Sequence, residues 1–210
     1  MADSQGGFRP HRGCEHQALI LHEAFISNPR PQVALLDLRA AYDLADRSRL
    51  WEMLRTCYGF PPRSIRRLAD LFDHNVSKLV VQGETSKALP NQRGVLQGSS
   101  LSPTLFNFLI NELALELEAQ TGGLMVYRKL VKVLMFADDT ALLAATDEQL
   151  ASMLQICEAW SIRAGMEFSP KKCVVFAPPP AFRCTPLRIY NTDLPSTTAA
   201  TYLGFPWRRS

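Results

Sequence analysis

Apolar positions along the chain alternate between two periods, and the changes of period mark the elements. His16 to Ser27 has helical character, and Val33 to Leu36 is a short unbroken apolar run, a buried strand that ends on Asp37. Leu50, Leu54 and Cys57 recur at helical spacing over Arg47 to Tyr58, and Gly59 stops that helix. Ile65, Leu68, Ala69 and Phe72 repeat the pattern over Pro62 to Phe72. Val76 to Gln82 alternates as a strand does, with Lys87 to Val95 expected to pair back on it. Ser102 as a cap and Pro103 at the first helical position, where a missing N–H costs nothing, open a long helix reaching Glu118. Its Leu/Phe-rich side predicts core, and Asn107 and Asn111 are expected to form its polar stripe.

The second half reads as hairpin, helix and short strands. Leu130 to Ala137 and Thr140 to Ala145 are apolar, partly β-branched runs that flank only Asp138 and Asp139, which predicts a tight hairpin with both acids at its tip. Thr146 to Gln149 is a capping-box pattern for a helix that turns Leu150, Met153, Leu154, Cys157 and Trp160 inward and ends at Gly165. Cys173 to Phe176, Leu187 to Tyr190 and Thr201 to Phe205 read as strands, with Ala177 to Pro180 and Pro195 to Ala200 as connections. This order of elements predicts an α+β fold and not a doubly wound sheet.

Composition narrows the class only a little. A chain of 210 residues with 47% hydrophobic content is long enough to bury a core. The net charge of +3 is compatible with a polyanionic partner but does not announce one. The five cysteines are scattered and never spaced as a CxxC pair, which fits thiols in a reducing compartment. The first residues are polar and basic without an apolar h-region, and no apolar run approaches the roughly 18 residues of a membrane span. A soluble, intracellular chain without a membrane partner is the expectation.

The candidate chemistry starts from LMFADDTALLA, Leu134 to Ala144, where adjacent carboxylates stand in an otherwise apolar run. Burying unpaired carboxylates is costly and like charges side by side repel, so a cation is expected there. If Asp37 at its strand end lies beside the hairpin, the acids could serve magnesium, which takes oxygen ligands from one or two carboxylates plus substrate phosphates. On the pair alone a polar turn explains the acids equally well, since Asp is common in turns. His11, Cys14 and His16 lack a fourth ligand for zinc. Arg63, Arg66 and Arg67 give one helix a basic face that suits either solvent or a phosphate backbone.

Five ordered stretches decide between these readings. LLDLRAAYD (Leu35 to Asp43), RGVLQGSSLSPTLFNFLIN (Arg93 to Asn111), LMFADDTALLA, GMEFSPKKC (Gly165 to Cys173) and TYLGF (Thr201 to Phe205) resemble, in order and spacing, the palm motifs of reverse transcriptases. Those of LINE-type, non-LTR retrotransposons are the most similar. QGGFRPHRGCEHQALIL, Gln5 to Leu21, resembles the part of the fingers that precedes the palm. The resemblance implies a polymerase palm, an antiparallel sheet with helices packed on one face, over residues 31–195. A partial fingers segment would occupy residues 1–30 and a primer-grip-like strand residues 196–210.

It further implies an RNA-directed DNA polymerase that adds dNTPs to a DNA primer on an RNA or DNA template, with two Mg²⁺ ions, or Mn²⁺ in their place. Asp37, Asp138 and Asp139 would be the catalytic metal ligands, assisted by the carbonyl of Leu38. Tyr42 would crowd the sugar's 2′ position and reject ribonucleotides. Gln97, Gly98 and Ser99 would lie against the incoming nucleotide, Lys172 would act on the leaving pyrophosphate, and Tyr202, Leu203 and Gly204 would grip the primer. An element that copies itself into a genome implies access to the nucleus as well as the cytoplasm.

The sequence departs from the family in carrying few residues before Gln5 and after Phe205, so early fingers strands and a helical thumb are expected to be absent or supplied by other chains. A truncated element copy, catalytically inactive and at most a nucleic-acid-binding module, is therefore the alternative. An RNA-dependent RNA polymerase would be expected to place an acid near Tyr42 and to carry GDD in place of ADD. A nucleotide cyclase would need a loop that has no counterpart here.

Overall fold

The computed structural model describes residues 1–176 and 186–208. In chain order its elements are α1 (Cys14–Ser27), β1 (Gln32–Leu36), α2 (Ala41–Leu44), α3 (Arg47–Thr56) and α4 (Pro62–Asp73). Four short strands follow: β2 (Val76–Ser77), β3 (Val80–Val81), β4 (Glu84–Thr85) and β5 (Leu89–Pro90). Then come α5 (Ser102–Glu118), β6 (Leu124–Val126), β7 (Lys129–Val131), β8 (Val133–Phe136), β9 (Asp139–Ala144) and α6 (Asp147–Ala164). The chain closes with β10 (Val174–Phe176), β11 (Arg188–Ile189), β12 (Thr192–Asp193), β13 (Ser196–Thr197), β14 (Ala199–Tyr202) and β15 (Phe205–Arg208).

The architecture is α+β, and its centre is a sheet of five strands in the order β13-β10-β1-β9-β8. β1 is central because it is buried on both sides. Side chains alternate across a strand, so Ala34 and Leu36 join the larger core cluster while Val33 and Leu35 face a smaller one. That two-sided burial is why the sequence shows an unbroken apolar run there. The larger cluster lies between this sheet and α3 to α6, where Phe106, Ile110 and Trp160 are fully buried. Removing each such side chain from water contributes roughly 1.5–3 kcal/mol.

The expected antiparallel sheet with helices on one face holds for β10-β1-β9-β8 and for α3 to α6. Two details extend it. The edge strand β13 runs parallel to β10, and α1 covers the opposite face through Leu21 and Ala24, joined there by Tyr202.

Several local expectations are corrected. The run Leu130 to Ala137 is two strands, because β7 turns back on β6 through Tyr127 and Arg128, both at positive φ, before β8 begins. Lys132 stands between them, its Nζ donating to the Glu118 carbonyl at 2.6 Å. Thr201 to Phe205 is not one strand but the closed end of the β14-β15 hairpin, with Leu203 and Gly204 at positive φ in the turn. The region from Val76 to Val95 forms two nested ribbons, β2 with β5 and β3 with β4, the inner one closed by Gln82 and Gly83. Ser102 is the first residue of α5 rather than its cap, and Cys57 is exposed just beyond α3.

The polar stripe of Asn107 and Asn111 is buried. They are 1% and 3% exposed, and they hold the N-terminal segment: Asn107 Nδ2 donates to the Gly7 carbonyl at 2.8 Å, and Asn111 Oδ1 accepts from the Ala2 N–H at 2.6 Å. α6 matches its prediction. Thr146 Oγ1 accepts from the Gln149 N–H, Gly165 adopts the left-handed cap, and all five predicted core residues are buried. The connection at Ala177 to Pro180, together with Cys184, lies outside the described residues. No described helix is long and apolar enough to cross a membrane.

Candidate active site

The pairing of β1 with β9 brings the acids together. Leu36 is opposite Thr140, so Asp37, the next residue, emerges beside Asp139 at the same sheet end. In the β8-β9 hairpin Phe136 pairs with Asp139, which leaves Ala137 and Asp138 as the turn. The tip therefore holds Asp138 but not Asp139, which already begins β9. Ala137 takes φ +57, the positive value that a two-residue hairpin turn demands at its first centre and that L-residues avoid at about 1–2 kcal/mol. Thr140 Oγ1 donates to the Asp138 carbonyl at 3.3 Å from the far side of the turn.

The acids lack compensation. Burial pushes the Asp138 carboxyl above the usual carboxylate range, and the charge of Asp37 adds to the shift. Asp139 is exposed as a residue but lines a cleft, and it is raised by desolvation first and then by Asp138 and Asp37. Asp37 Oδ2 is buried without a hydrogen-bond partner. The nearest cation is Lys172, whose Nζ lies 3.4 Å from both Asp37 oxygens while remaining largely exposed. Such an exposed pair is worth about 0–1 kcal/mol and does not neutralise the cluster.

This donor set suits a hard divalent cation. Among the described residues no three His, Cys, Asp or Glu side chains converge closely enough to cage a metal unaided. Magnesium does not need such a cage, because it keeps waters and substrate phosphates alongside one or two carboxylates. Asp37 and Asp138, raised or orphaned by burial and by each other, fit that demand. Leu38 bridges to Phe168 through the Asp37 carbonyl and the Arg39 N–H, which leaves the Leu38 carbonyl outside the bridge.

The other expected residues surround the acids. Tyr42, in α2, stacks on Phe106 with ring centroids 5.0 Å apart, and its hydroxyl is buried without a partner. Burial raises that phenol first, and the charge of Asp138 raises it further. The loop of Gln97, Gly98 and Ser99 is tied to α2, since the Val95 N–H donates to the Tyr42 carbonyl at 2.7 Å and Gln97 Nε2 reaches Asp43 Oδ1 at 3.3 Å. Gly98 has φ +88 and open space where a Cβ would point. A cleft of about 300 Å³ is lined by Asp37, Asp139, Lys172, Tyr202 and Leu203, and Gly204 adjoins it in the same turn. Two larger hollows, about 610 Å³ and about 770 Å³, contain none of the expected residues.

Residues that sequence reasoning did not assign also shape the site. Cys173 Sγ lies against the Asp37 backbone, its thiol pushed up to about 11 by burial. Gln5 grips the backbone of Ala137. The only signal for Gln5 was its place in the QGGFR stretch.

Comparison with known proteins agrees with this geometry. The family model described as reverse transcriptase (RNA-dependent DNA polymerase) matches residues 1–207. The chain belongs to the reverse transcriptase family. Similar proteins include the Pol polyprotein of a type-1 R2 retrotransposable element of Nasonia vitripennis, 32% identical over 145 residues, covering 69% of this chain and 14% of that protein. The corresponding type-2 R2DM protein of Drosophila melanogaster is 29% identical across 95% of this chain and 20% of its own length. The RNA-directed DNA polymerase from the mobile element jockey of the same fly is 29% identical across 78% of this chain and 19% of its own length. The chain thus spans a fifth or less of the length of these relatives. Apo telomerase from Candida tropicalis has the same fold over 97% of this chain and 35% of its own, with TM-score 0.67 at 14% identity.

Proposed function

We propose that this chain carries the polymerising site of a retrotransposon-derived RNA-directed DNA polymerase, joining a primer 3′-hydroxyl to the α-phosphate of a dNTP and releasing pyrophosphate. The observation that carries this reading is the meeting of Asp37 and the Asp138-Asp139 hairpin at one sheet end, between Tyr42 and the Tyr202-Leu203 cleft. Asp37 and Asp138, with the Leu38 carbonyl and Asp139 beside them, would hold two Mg²⁺ or Mn²⁺ ions. Those ions would supply activation of the primer hydroxyl and neutralisation of the leaving group.

The chain's own residues set geometry and selectivity. Tyr42, braced flat on Phe106, meets a 2′-hydroxyl with a ring that cannot retreat, so deoxyribonucleotides are preferred by sterics. Gln97, Gly98 and Ser99 offer an amide, an open backbone and a hydroxyl to the nucleotide and its template base. Lys172, held only loosely on Asp37, is free to swing to the pyrophosphate. Tyr202, Leu203 and Gly204 present the primer end across the cleft from Asp37. Residues 1–30 belong to the fingers in this reading and residues 31–195 to the palm, and RNA template and DNA primer are the partners.

The test is extension of a DNA primer on an RNA template with dNTPs or NTPs, with Mg²⁺ or with EDTA. Metal-dependent dNTP incorporation by the chain, lost in Asp138→Asn, supports the reading. No incorporation at high template-primer concentration overturns it and leaves a remnant that binds nucleic acid at most.

A further inference from the structure

The turn that carries Asp138 is held from behind by a side chain more than a hundred residues away. Gln5 is 1% exposed, and its amide closes a two-point clamp on Ala137. Oε1 accepts from the Ala137 N–H at 2.9 Å, and Nε2 donates to the Ala137 carbonyl at 3.1 Å. The same Oε1 also accepts from the Gly7 N–H at 2.7 Å. We propose that Gln5 is a positioning residue for nucleotide addition, acting through Ala137 to fix where the Asp138 carboxylate stands; this rests on the polymerase reading above.

Three observations support a placing role. Ala137 is held at φ +57 without being glycine, so something must over-determine its conformation, and the Gln5 amide satisfies both of its backbone groups at once. The clamp cannot slide, because residues 4–7 are fastened on every side. The Gly6 N–H donates to the Met135 carbonyl at 2.7 Å, the Met135 N–H to the Ser4 carbonyl at 3.0 Å, and Asn107 to the Gly7 carbonyl at 2.8 Å. The fit is also close: a Cβ on Gly7 would meet the Ala137 nitrogen at 2.3 Å, so no other residue fits between clamp and turn. A carboxylate that must share a cation with Asp37 tolerates little displacement, and a misplacement on the order of 1 Å can cost about a hundredfold in rate.

The test compares the full chain with Gln5→Met, which keeps the length and volume of the side chain but none of its three hydrogen bonds. Asn111→Ala serves as a control, releasing the Ala2 N–H upstream of the clamp without touching residues 4–7 or the turn. Gln5→Met is expected to lower kcat for nucleotide addition by about 10- to 100-fold while KM for the dNTP changes by less than about threefold. Amide hydrogen exchange at Ala137 should quicken by at least about tenfold, with exchange in the middle of β9 unchanged. Asn111→Ala should lose stability without that selective fall in kcat. The inference is overturned if Gln5→Met keeps the wild-type kcat, if its defect lies in KM alone, or if Asn111→Ala shows the same kcat loss.

Failure of the polymerase reading looks different. Should the wild-type chain add no nucleotide, Mn²⁺ binding replaces kcat as the readout. Weaker binding by Gln5→Met together with faster exchange at Ala137 then upholds the positioning role, and unchanged values for either remove it.

Discussion

At the residue scale the decisive fact is that Asp37, Asp138 and Asp139 meet in a site that gives them too little positive charge. Asp138 and Asp139 have raised carboxyls in the fold, chiefly through desolvation. An acid whose folded-state pKa is raised favours folding while it is protonated, and that contribution is lost as pH rises through the folded value. Without divalent cation the chain should therefore lose stability as pH climbs above about 4, the ordinary Asp range. Mg²⁺ should restore it at neutral pH but not in acid. Melting curves across pH with Mg²⁺ or EDTA check this, and an Mg²⁺-independent profile would count against a cation at these acids. Asp138→Asn should raise the metal-free melting temperature at neutral pH while removing nucleotide addition. Tyr42→Val should admit NTPs by at least about tenfold relative to dNTPs, because only a ring's bulk separates the two sugars here. Paired incorporation assays with the two nucleotide types measure that ratio. The identity of these residues was legible in the sequence. Their mutual strain was not, because it comes from burial and from the proximity of β1 and β9, which lie about a hundred residues apart.

At the element scale, the site depends on how loops are tied to the helices and strands that flank them. The loop with Gln97 to Ser99 is fixed to α2 at Gly94 and Val95, whose N–H groups donate to the Ala45 and Tyr42 carbonyls. Gly94 has φ +84, and a Cβ there would meet the Asp43 carbonyl oxygen at 2.6 Å and that of Tyr42 at 2.7 Å. Gly94→Ala is expected to destabilise the fold by about 2 kcal/mol or more through the left-handed backbone alone and the overlap on top of it. Because the loop must lift off α2, the KM for dNTP should rise more than kcat falls. Denaturant unfolding and steady-state kinetics separate the two effects. Elements with strong local signals were readable in advance: α6, with its Thr146 cap and Gly165 stop, came out as patterned. The misread strands were broken by tight turns at positive φ lacking a Gly at the first centre, Tyr127-Arg128 and Leu203-Gly204 among them. Such turns are imposed by strand pairing and leave no composition cue. That the polar stripe of Asn107 and Asn111 is buried was not legible for a related reason: its polar partners, the Gly7 carbonyl and Ala2 N–H, come from the far end of the chain.

At the scale of the whole molecule, the larger core cluster backs one face of the palm sheet and reaches the strand end that bears Asp37. Trp160 is fully buried in it, its ring tilted against Phe168 at 6.4 Å, and Phe168 bridges to Leu38 immediately after Asp37. Trp160→Ala should cost about 3–5 kcal/mol, read as a fall in the unfolding midpoint. Its packing reaches the strand end through Phe168, so Mg²⁺ affinity should fall as well, and titration of Mn²⁺ binding detects that. The sequence by itself determined the α+β class, the long helices, the apolar central strand, the family and the identity of the acids, because each is written in local periodicity or in contiguous motifs. Only the tertiary structure decided that β1 and β9 place Asp37 beside Asp139, that of the two adjacent acids only Asp138 lies in the turn, and that Gln5 clamps that turn. Those facts arise from pairings between distant segments, whose register depends on the packing of the whole core.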